Sequence, residues 1–173
     1  SKTKKSDYKV IGTRPIRHDG YDKVTGRAQY GADIKLPGMI FGAVLRSPHA
    51  HAKILNIDTS KAENMNGVFA VMTAKDLPRL TDKQRGNSEE SGSEKHLSEN
   101  VMALDKVLYK GHVVAAVSAK DVNTAREAVK KINVEYEVLK PVINVDQAME
   151  KGAPILHEDF IGDHLGKKVK NTN

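Results

Sequence analysis

The sequence predicts an α+β fold in which short strands are interrupted by two main helices. Apolar residues stand in short runs of strand length, although hydrophobic residues make up only 39% of the chain. Two other segments repeat apolar residues at helical spacing. In chain order the elements read strand, strand, helix, strand, short strands, long strand, helix, strand. This order is not a regular βαβ repeat, and it therefore favours an α+β layer arrangement.

The first two strands are predicted on either side of a proline. Residues 40–46 are apolar on both alternating faces, so we expect a central strand that is buried on both sides. Residues 52–57 are expected to pair with this strand as a hairpin, because Pro48 limits ladder bonding and favours a turn.

A short helix and a third strand follow. Asp58 or Thr59 can cap the helix, since either side-chain oxygen can accept a hydrogen bond from a free amide of the first turn. The helix is predicted to run through Met65 and to end at Asn66-Gly67. Residues 68–73 then predict the next strand.

The middle of the chain predicts a long loop followed by three strands. Residues 78–100 are rich in Ser, Gly, Asn and charged residues and hold few apolar ones, which is typical of a mobile loop. Residues 101–104 and 107–109 predict short strands. Residues 112–119 are apolar on both faces and predict a second interior strand.

The last predicted elements are a helix, a strand and a short helix. Asp121 is a suitable N-cap for a helix whose apolar face holds Val122, Ala125, Val129 and Ile132. Residues 133–139 alternate, so Val134, Tyr136 and Val138 are expected to face inward. Residues 145–151 suit a short helix that Gly152 stops.

Composition is consistent with one domain at residues 10–150, with a flexible tail at 1–9 and the start of an interdomain linker at 151–173. The net charge of +6 comes from 28 basic and 22 acidic residues, and the excess lies near both ends. Solvated tails explain it better than a nucleic-acid surface. No run approaches the roughly 20 apolar residues of a membrane span, so we expect a cytoplasmic protein. The absence of cysteine excludes disulfides and iron–sulfur ligation within this chain.

Histidines supply the candidate chemical groups. His49 and His51 are two residues apart, so on a strand both imidazoles would point to one side, as metal ligands could. No third ligand lies nearby in sequence, which favours hydrogen bonding in a turn or a domain contact. His18-Asp19 and His157-Glu158-Asp159 could form acid–base pairs. Neither has a nucleophile beside it in sequence, which favours a surface or partner-contact role.

Other polar and glycine residues are assigned to turns. No phosphate-binding glycine motif occurs. Arg46-Ser47 directly follows a predicted strand and suits a cap and turn. Glycines expected to supply positive φ at turns are Gly12, Gly20, Gly26, Gly31 and Gly38. The sequence therefore predicts no catalytic, cofactor-binding or metal-binding residue in this chain.

Several uncommon local combinations follow one another in a single order. They are DKVTGRAQY from Asp22, DIKLPGM from Asp33, LRSPHAHA from Leu45, IDTSKA from Ile57, GVFAV from Gly67 and DLP from Asp76. LYKGHVVAAV from Leu108 and VEYEVL from Val134 continue the series. This order resembles the start of the large, molybdopterin-binding subunit of the molybdenum hydroxylases, the xanthine dehydrogenase, aldehyde oxidase and carbon monoxide dehydrogenase family. The resemblance covers residues 10–159.

The resemblance implies an α/β hammerhead domain, with strands of a mixed sheet and two main helices, placed ahead of the cofactor-binding domains. It implies a scaffold and interface role, because the family's pterin-contacting loops and catalytic residues belong to the domains that follow. The parent reaction would hydroxylate aldehydes, purines or other N-heterocycles, or oxidise carbon monoxide. Molybdopterin would be bound by downstream domains of the same subunit, and [2Fe-2S] clusters and FAD by other domains or subunits.

Two other functions stay open at this point. The chain could be a free-standing, non-catalytic binding module that associates with other subunits or with an anionic partner. It could also be a metallo-hydrolase built on His49 and His51. Coding sequence continuing in frame past Asn173 would favour the hydroxylase subunit, and metal analysis of the purified chain would test the metallo-hydrolase.

Overall fold

The computed structural model describes residues 9–77 and 99–157, together with the backbone of 161–164 and 167–170. The chain divides into two compact units, Ser1–Met39 and Ile40–Asn173. Within the first unit, the described residues 9–39 form a helical turn α1 (Gly20–Val24) and a 3-10 turn (Gly31–Asp33). The predicted mobile loop falls mostly at 78–98, outside the described residues.

The second unit carries the strands and the longer helix. Its elements are β1 (Phe41–Arg46), β2 (Ala52–Asp58), α2 (Ser60–Glu63), β3 (Val68–Thr73), a 3-10 turn (Ala74–Asp76), β4 (Lys106–Val107), β5 (Val113–Ala119), α3 (Val122–Val129), β6 (Asn133–Val138), α4 (Val145–Met149), β7 (Ile161–His164) and β8 (Lys167–Lys170). A helical turn also covers residues 99–101, and residues 102–105 form no strand, so the strand predicted at 101–104 is wrong. Met102 and Ala103 are buried without strand pairing, which accounts for the apolar run that suggested a strand. From β1 to β6 the order is strand, strand, helix, strand, strand, strand, helix, strand, which confirms the predicted fold class.

The six strands from β1 to β6 form two three-stranded sheets. The first sheet has the order β1-β5-β3 and the second the order β4-β2-β6. All of their pairs are antiparallel, whereas the family resemblance had implied mixed-sheet strands. A third pair, β7 with β8, is also antiparallel.

The predicted hairpin between β1 and β2 is wrong. β1 pairs with β5, and β2 pairs with β4 and β6, so the chain passes from one sheet to the other across Pro48. β1 is also an edge strand and not a central one, because the sheet order is β1-β5-β3. It is not buried on both sides, since Phe41, Ala43 and Leu45 are half-buried while the residues between them are exposed. The central position belongs to β5, whose two faces each supply a buried cluster.

Two apolar clusters hold the second unit together. The first lies between the β1-β5-β3 sheet and the helices α2 and α3, and its buried members are Ala62, Ala115, Val117, Ala128 and Ile132. The second joins β5 to the other sheet through Ala52, Ala103, Val107 and Val114. Alanine supplies three of the five buried residues in the first cluster and two of the four in the second, so the backbones of the packed elements approach closely. Because Ala115 and Val114 point to opposite sides of β5, this strand links the two clusters.

The helix α3 begins as predicted. The Asp121 carboxylate accepts a hydrogen bond of 2.7 Å from the Thr124 amide and one of 2.8 Å from the Thr124 hydroxyl. Ala125 and Ile132 are buried on the expected face. Val122, expected on the same face, is 38% exposed because it lies in the first turn, at the rim of the helix contact.

Replacing Asp121 with alanine is expected to lower the free energy of unfolding by about 1 kcal/mol, because the Thr124 amide loses its acceptor. Urea unfolding of the purified chain measures this. Asn123→Ala, an exposed change in the same turn, is the control and should leave the midpoint nearly unchanged. Equal effects of the two substitutions would show that the cap contributes nothing.

The remaining elements agree with the sequence in most respects. In β6, Val134 and Tyr136 are half-buried as predicted, but Val138 is 62% exposed because it ends the strand. The short helix α2 has its first free amide, that of Ser60, bonded to the Asp58 carboxylate at 3.0 Å. The helix α4 ends before Gly152, which adopts a positive φ of 84°. Across the described residues, no helix has the length and apolar character that crossing a membrane requires.

Candidate functional site

The sequence between β1 and β2 forms a fixed loop, called here the histidine loop (residues 47–51). Backbone hydrogen bonds join it to the turn before β5: the Ser47 amide donates to the His112 carbonyl at 2.9 Å, and the Gly111 amide donates to the Ser47 carbonyl at 3.0 Å. Arg46 Nη1 also donates to the Gly111 carbonyl at 2.9 Å. Arg46-Ser47 therefore acts as the predicted cap and turn.

His49 is held in a turn and against an aromatic ring. Its amide donates to Ser47 Oγ at 3.0 Å, while that hydroxyl donates to the His49 carbonyl at 3.1 Å. The imidazole meets the ring of Tyr136 edge to face, with 5.1 Å between centroids. Burial raises the pKa of the Tyr136 hydroxyl, and the hydroxyl of Ser47 acts in the opposite direction. His49 thus packs as an aromatic side chain on β6.

His51 is buried and bonded on one side of its ring. Its Nδ1 lies 2.8 Å from the Lys140 carbonyl oxygen, and because a carbonyl only accepts, Nδ1 must carry the proton. Nε2 is buried and has no hydrogen-bond partner among the described residues. The His51 carbonyl in turn accepts from the Leu139 amide at 3.0 Å. His51 therefore ties the histidine loop to the segment after β6.

The two histidines do not converge on one point as strand neighbours would. His49 contacts Tyr136, whereas His51 reaches the Lys140 carbonyl. Within the described ranges, no three His, Cys, Asp or Glu side chains come together as a potential metal site. His49 makes the bonds of a turn, and His51 makes a bond that joins the loop to the segment after β6.

Sequence reasoning missed the role of His112 in this region. Its side chain is fully buried, accepts at Nδ1 from the Leu108 amide at 3.2 Å and donates from Nε2 to the Glu99 carbonyl at 2.9 Å. The ring stacks on Tyr109 at 4.4 Å. Desolvation lowers the pKa of the imidazole, although the bond to the Glu99 carbonyl works in the opposite direction. A histidine that opens an otherwise apolar run was the available signal.

The other predicted acid–base pairs lie elsewhere. Asp19 forms ion pairs with Arg17 and Lys23, the latter at 2.7 Å, and both cations lower the pKa of its carboxyl. His18 is exposed beside it. His157 is half-buried, while Glu158 and Asp159 lie outside the described residues.

Three of the five singled-out glycines have the predicted positive φ, and two do not. Gly12, Gly26 and Gly38 have φ of 84°, 73° and 74°. Gly20 and Gly31 instead open α1 and the 3-10 turn that follows it, where ordinary helical φ applies.

Comparison with known proteins identifies the class of this domain. The family model described as "Aldehyde oxidase and xanthine dehydrogenase, a/b hammerhead domain" matches residues 25–140. The chain belongs to this family. The match confirms both the fold class and the resemblance read from the sequence motifs.

Particular relatives narrow the comparison. The carbon monoxide dehydrogenase large chain of Afipia carboxidovorans is 42% identical over 165 residues, which are 93% of this chain and 20% of the relative. A probable hypoxanthine oxidase of Escherichia coli is 38% identical over 91% of this chain and 16% of the relative. The solved Cu,Mo-CO dehydrogenase superposes with a TM-score of 0.70 at 37% identity, covering 90% of this chain and 19% of that one. The chain thus spans about a fifth of the length of these relatives.

Proposed function

We propose that this chain is a scaffold and interface domain of the large subunit of a cytoplasmic molybdenum hydroxylase. The parent enzyme would oxidise aldehydes, purines or other N-heterocycles, or carbon monoxide. Molybdopterin would be bound by the domains that follow in the same subunit, with [2Fe-2S] clusters and FAD on other domains or subunits. Relatives that support this proposal include a carbon monoxide dehydrogenase large chain and a nicotinate dehydrogenase large molybdopterin subunit.

The observation that carries the interface role is the apolar arm (residues 9–39). None of its residues is buried. Eight large apolar side chains are each more than half exposed: Val10, Ile11, Ile16, Tyr21, Val24, Tyr30, Ile34 and Leu36. Apolar surface of this extent is typical of a segment that packs against another protein surface.

Local bonds shape the arm even though none of its side chains forms a core. The Asp22 carbonyl accepts from the amides of Arg27 and Ala28, each at 2.9 Å. The Arg27 guanidinium lies 5.3 Å from the centre of the Tyr21 ring. These bonds join residues close in sequence, so the turns present apolar side chains outward in a preformed shape. Such preorganisation lowers the entropy cost of docking.

Replacing Ile34 and Leu36 together with aspartate tests this role in the full-length large subunit. We expect the yield of molybdenum-loaded enzyme to fall about tenfold or more, because two charges would enter an apolar contact. Activity per bound molybdenum should stay within about twofold of wild type, since a docking segment does not contact reacting atoms. Lys35→Gln, at an exposed position between the two, is the matched control. Normal yield in the double variant would contradict the proposal, as would a large loss of activity per molybdenum.

A further inference from the structure

One face of the β1-β5-β3 sheet is apolar, and at one end of this face no described residue packs against it. We call it the outer face, made of Gly42, Val44, Ala70, Met72, Ala116 and Ser118. Strand register places them in two rows: Val44 and Met72 flank Ala116, while Gly42 and Ala70 flank Ser118. The opposite face of the same sheet packs on the helices α2 and α3. None of the six residues is charged.

The larger apolar side chains on and beside the outer face are exposed to solvent. Val44 is 42% exposed and Met72 37%, and Phe69, in the adjacent β-bulge, is 62% exposed. The other members are small, so the sheet backbone lies open to close approach. Both properties are those of a surface that packs against another element rather than against water.

The same face is already covered at its other end. Val114 precedes Ala116 by two residues on β5 and therefore points to the same side. It is fully buried, in the cluster that it forms with Ala52, Ala103 and Val107 of the region around the second sheet. The outer face is thus the exposed continuation of an interface that the domain itself begins.

Gly42 gives a second, independent indication. A Cβ built at Gly42 would have its nearest neighbour, the Val117 carbonyl oxygen, at 3.8 Å, an ordinary van der Waals distance. The domain therefore has room for a side chain at this position. Glycine inside a strand weakens that strand, and it often marks a place where another backbone approaches closely.

We propose that the rest of the large subunit covers the outer face with an uncharged, apolar surface that approaches the sheet most closely at Gly42. This inference rests on the proposed function and names the partner at one surface. The carbon monoxide dehydrogenase large chain is about five times longer than this chain, so a covalently joined surface is available at high effective concentration. The lack of charge fits permanent packing within one subunit better than a transient partner, whose contact would be more polar.

The decisive variant is Gly42→Val, studied both in this 173-residue chain and in the full-length holoenzyme. In the chain, valine should leave the thermal midpoint unchanged or raise it, because it suits a strand and has room. In the full-length subunit it should lower the yield of molybdenum-loaded enzyme about tenfold, because a branched side chain fills space that the partner surface needs. Val44→Asp combined with Met72→Asp should likewise leave the thermal midpoint of the chain nearly unchanged, since both residues are exposed in the chain alone. The same double variant should lower the yield of molybdenum-loaded full-length enzyme. Leu55→Asp, at an exposed position on the other sheet, is the control and should change neither the thermal midpoint nor the yield of molybdenum-loaded enzyme.

The possible outcomes separate this inference from the proposed function. If outer-face variants assemble normally while apolar-arm variants do not, the scaffold role stands and the outer face is not its contact. If activity per molybdenum collapses with assembly intact, the scaffold role itself fails. If purified wild-type chain forms a dimer that Gly42→Val disrupts while full-length assembly is unchanged, the occupant is a second copy and the inference is wrong. Loss of only the iron–sulfur or FAD subunits would likewise overturn it.

Discussion

Replacing His112 with alanine is expected to lower the free energy of unfolding of the chain by about 3 to 5 kcal/mol. The imidazole is fully buried, so alanine leaves a cavity beside Tyr109 and removes the acceptor of the Leu108 amide. It also removes the hydrogen bond from the residue before β5 to the Glu99 carbonyl. Urea unfolding monitored by circular dichroism measures the change. His18→Ala, at an exposed histidine, is the control and should change the free energy of unfolding only slightly.

The pH dependence of the same variant provides a further check. Burial lowers the pKa of His112 from its ordinary 6.5, so the unfolded chain takes up this proton more readily than the folded one. The contribution of neutral His112 to stability is therefore complete above pH 6.5 and is lost as the pH falls through the folded-state pKa. The difference in the free energy of unfolding between wild type and His112→Ala should therefore become smaller as the pH is lowered. If it widens instead, the folded protein holds the imidazolium form.

Element order was predictable from the sequence because it depends on local patterns. The strand β3 has its predicted bounds, and Asp121 caps α3 as its side-chain chemistry requires. Strand partners were not predictable in the same way. Apolar alternation states which side chains face a core, but not which strand lies alongside. Both β1 and β5 are apolar on two faces in the sequence, and only the strand pairing in the fold places β5 at the centre and β1 at the edge.

The candidate site was only partly predictable for a related reason. The sequence predicts a turn or a domain contact for His49 and His51, because no third metal ligand lies near them in the sequence. The bond from His51 to the Lys140 carbonyl spans 89 residues, and no local pattern encodes it. In the sequence His112 is an ordinary member of a strand, whereas in the fold its two ring nitrogens bond to the Leu108 amide and the Glu99 carbonyl. Buried polar residues depend on partners that only the fold brings together.

The histidine loop supports the second large prediction, which concerns His49→Ala combined with His51→Ala in the full-length enzyme. The double substitution removes an aromatic contact with Tyr136 and the bond to the Lys140 carbonyl. Together these losses should destabilise the domain by about 2 to 4 kcal/mol, since a buried ring and a hydrogen bond disappear from one junction. Such a loss reduces the amount of assembled enzyme several-fold or more. We expect the chemistry to be unchanged, because the contacts of both side chains within this domain are with Tyr136 and the Lys140 carbonyl.

Normalising activity to bound molybdenum separates these effects. We expect the double variant to yield far less molybdenum-loaded enzyme, with activity per molybdenum within about twofold of wild type. His49→Phe with His51→Asn is the conservative control: phenylalanine retains an aromatic edge for Tyr136, and the asparagine amide can still donate to the Lys140 carbonyl. This control should recover much of the yield. If activity per molybdenum falls by orders of magnitude while assembly stays intact, these histidines reach the active centre, and the scaffold role fails at the loop that joins the two sheets.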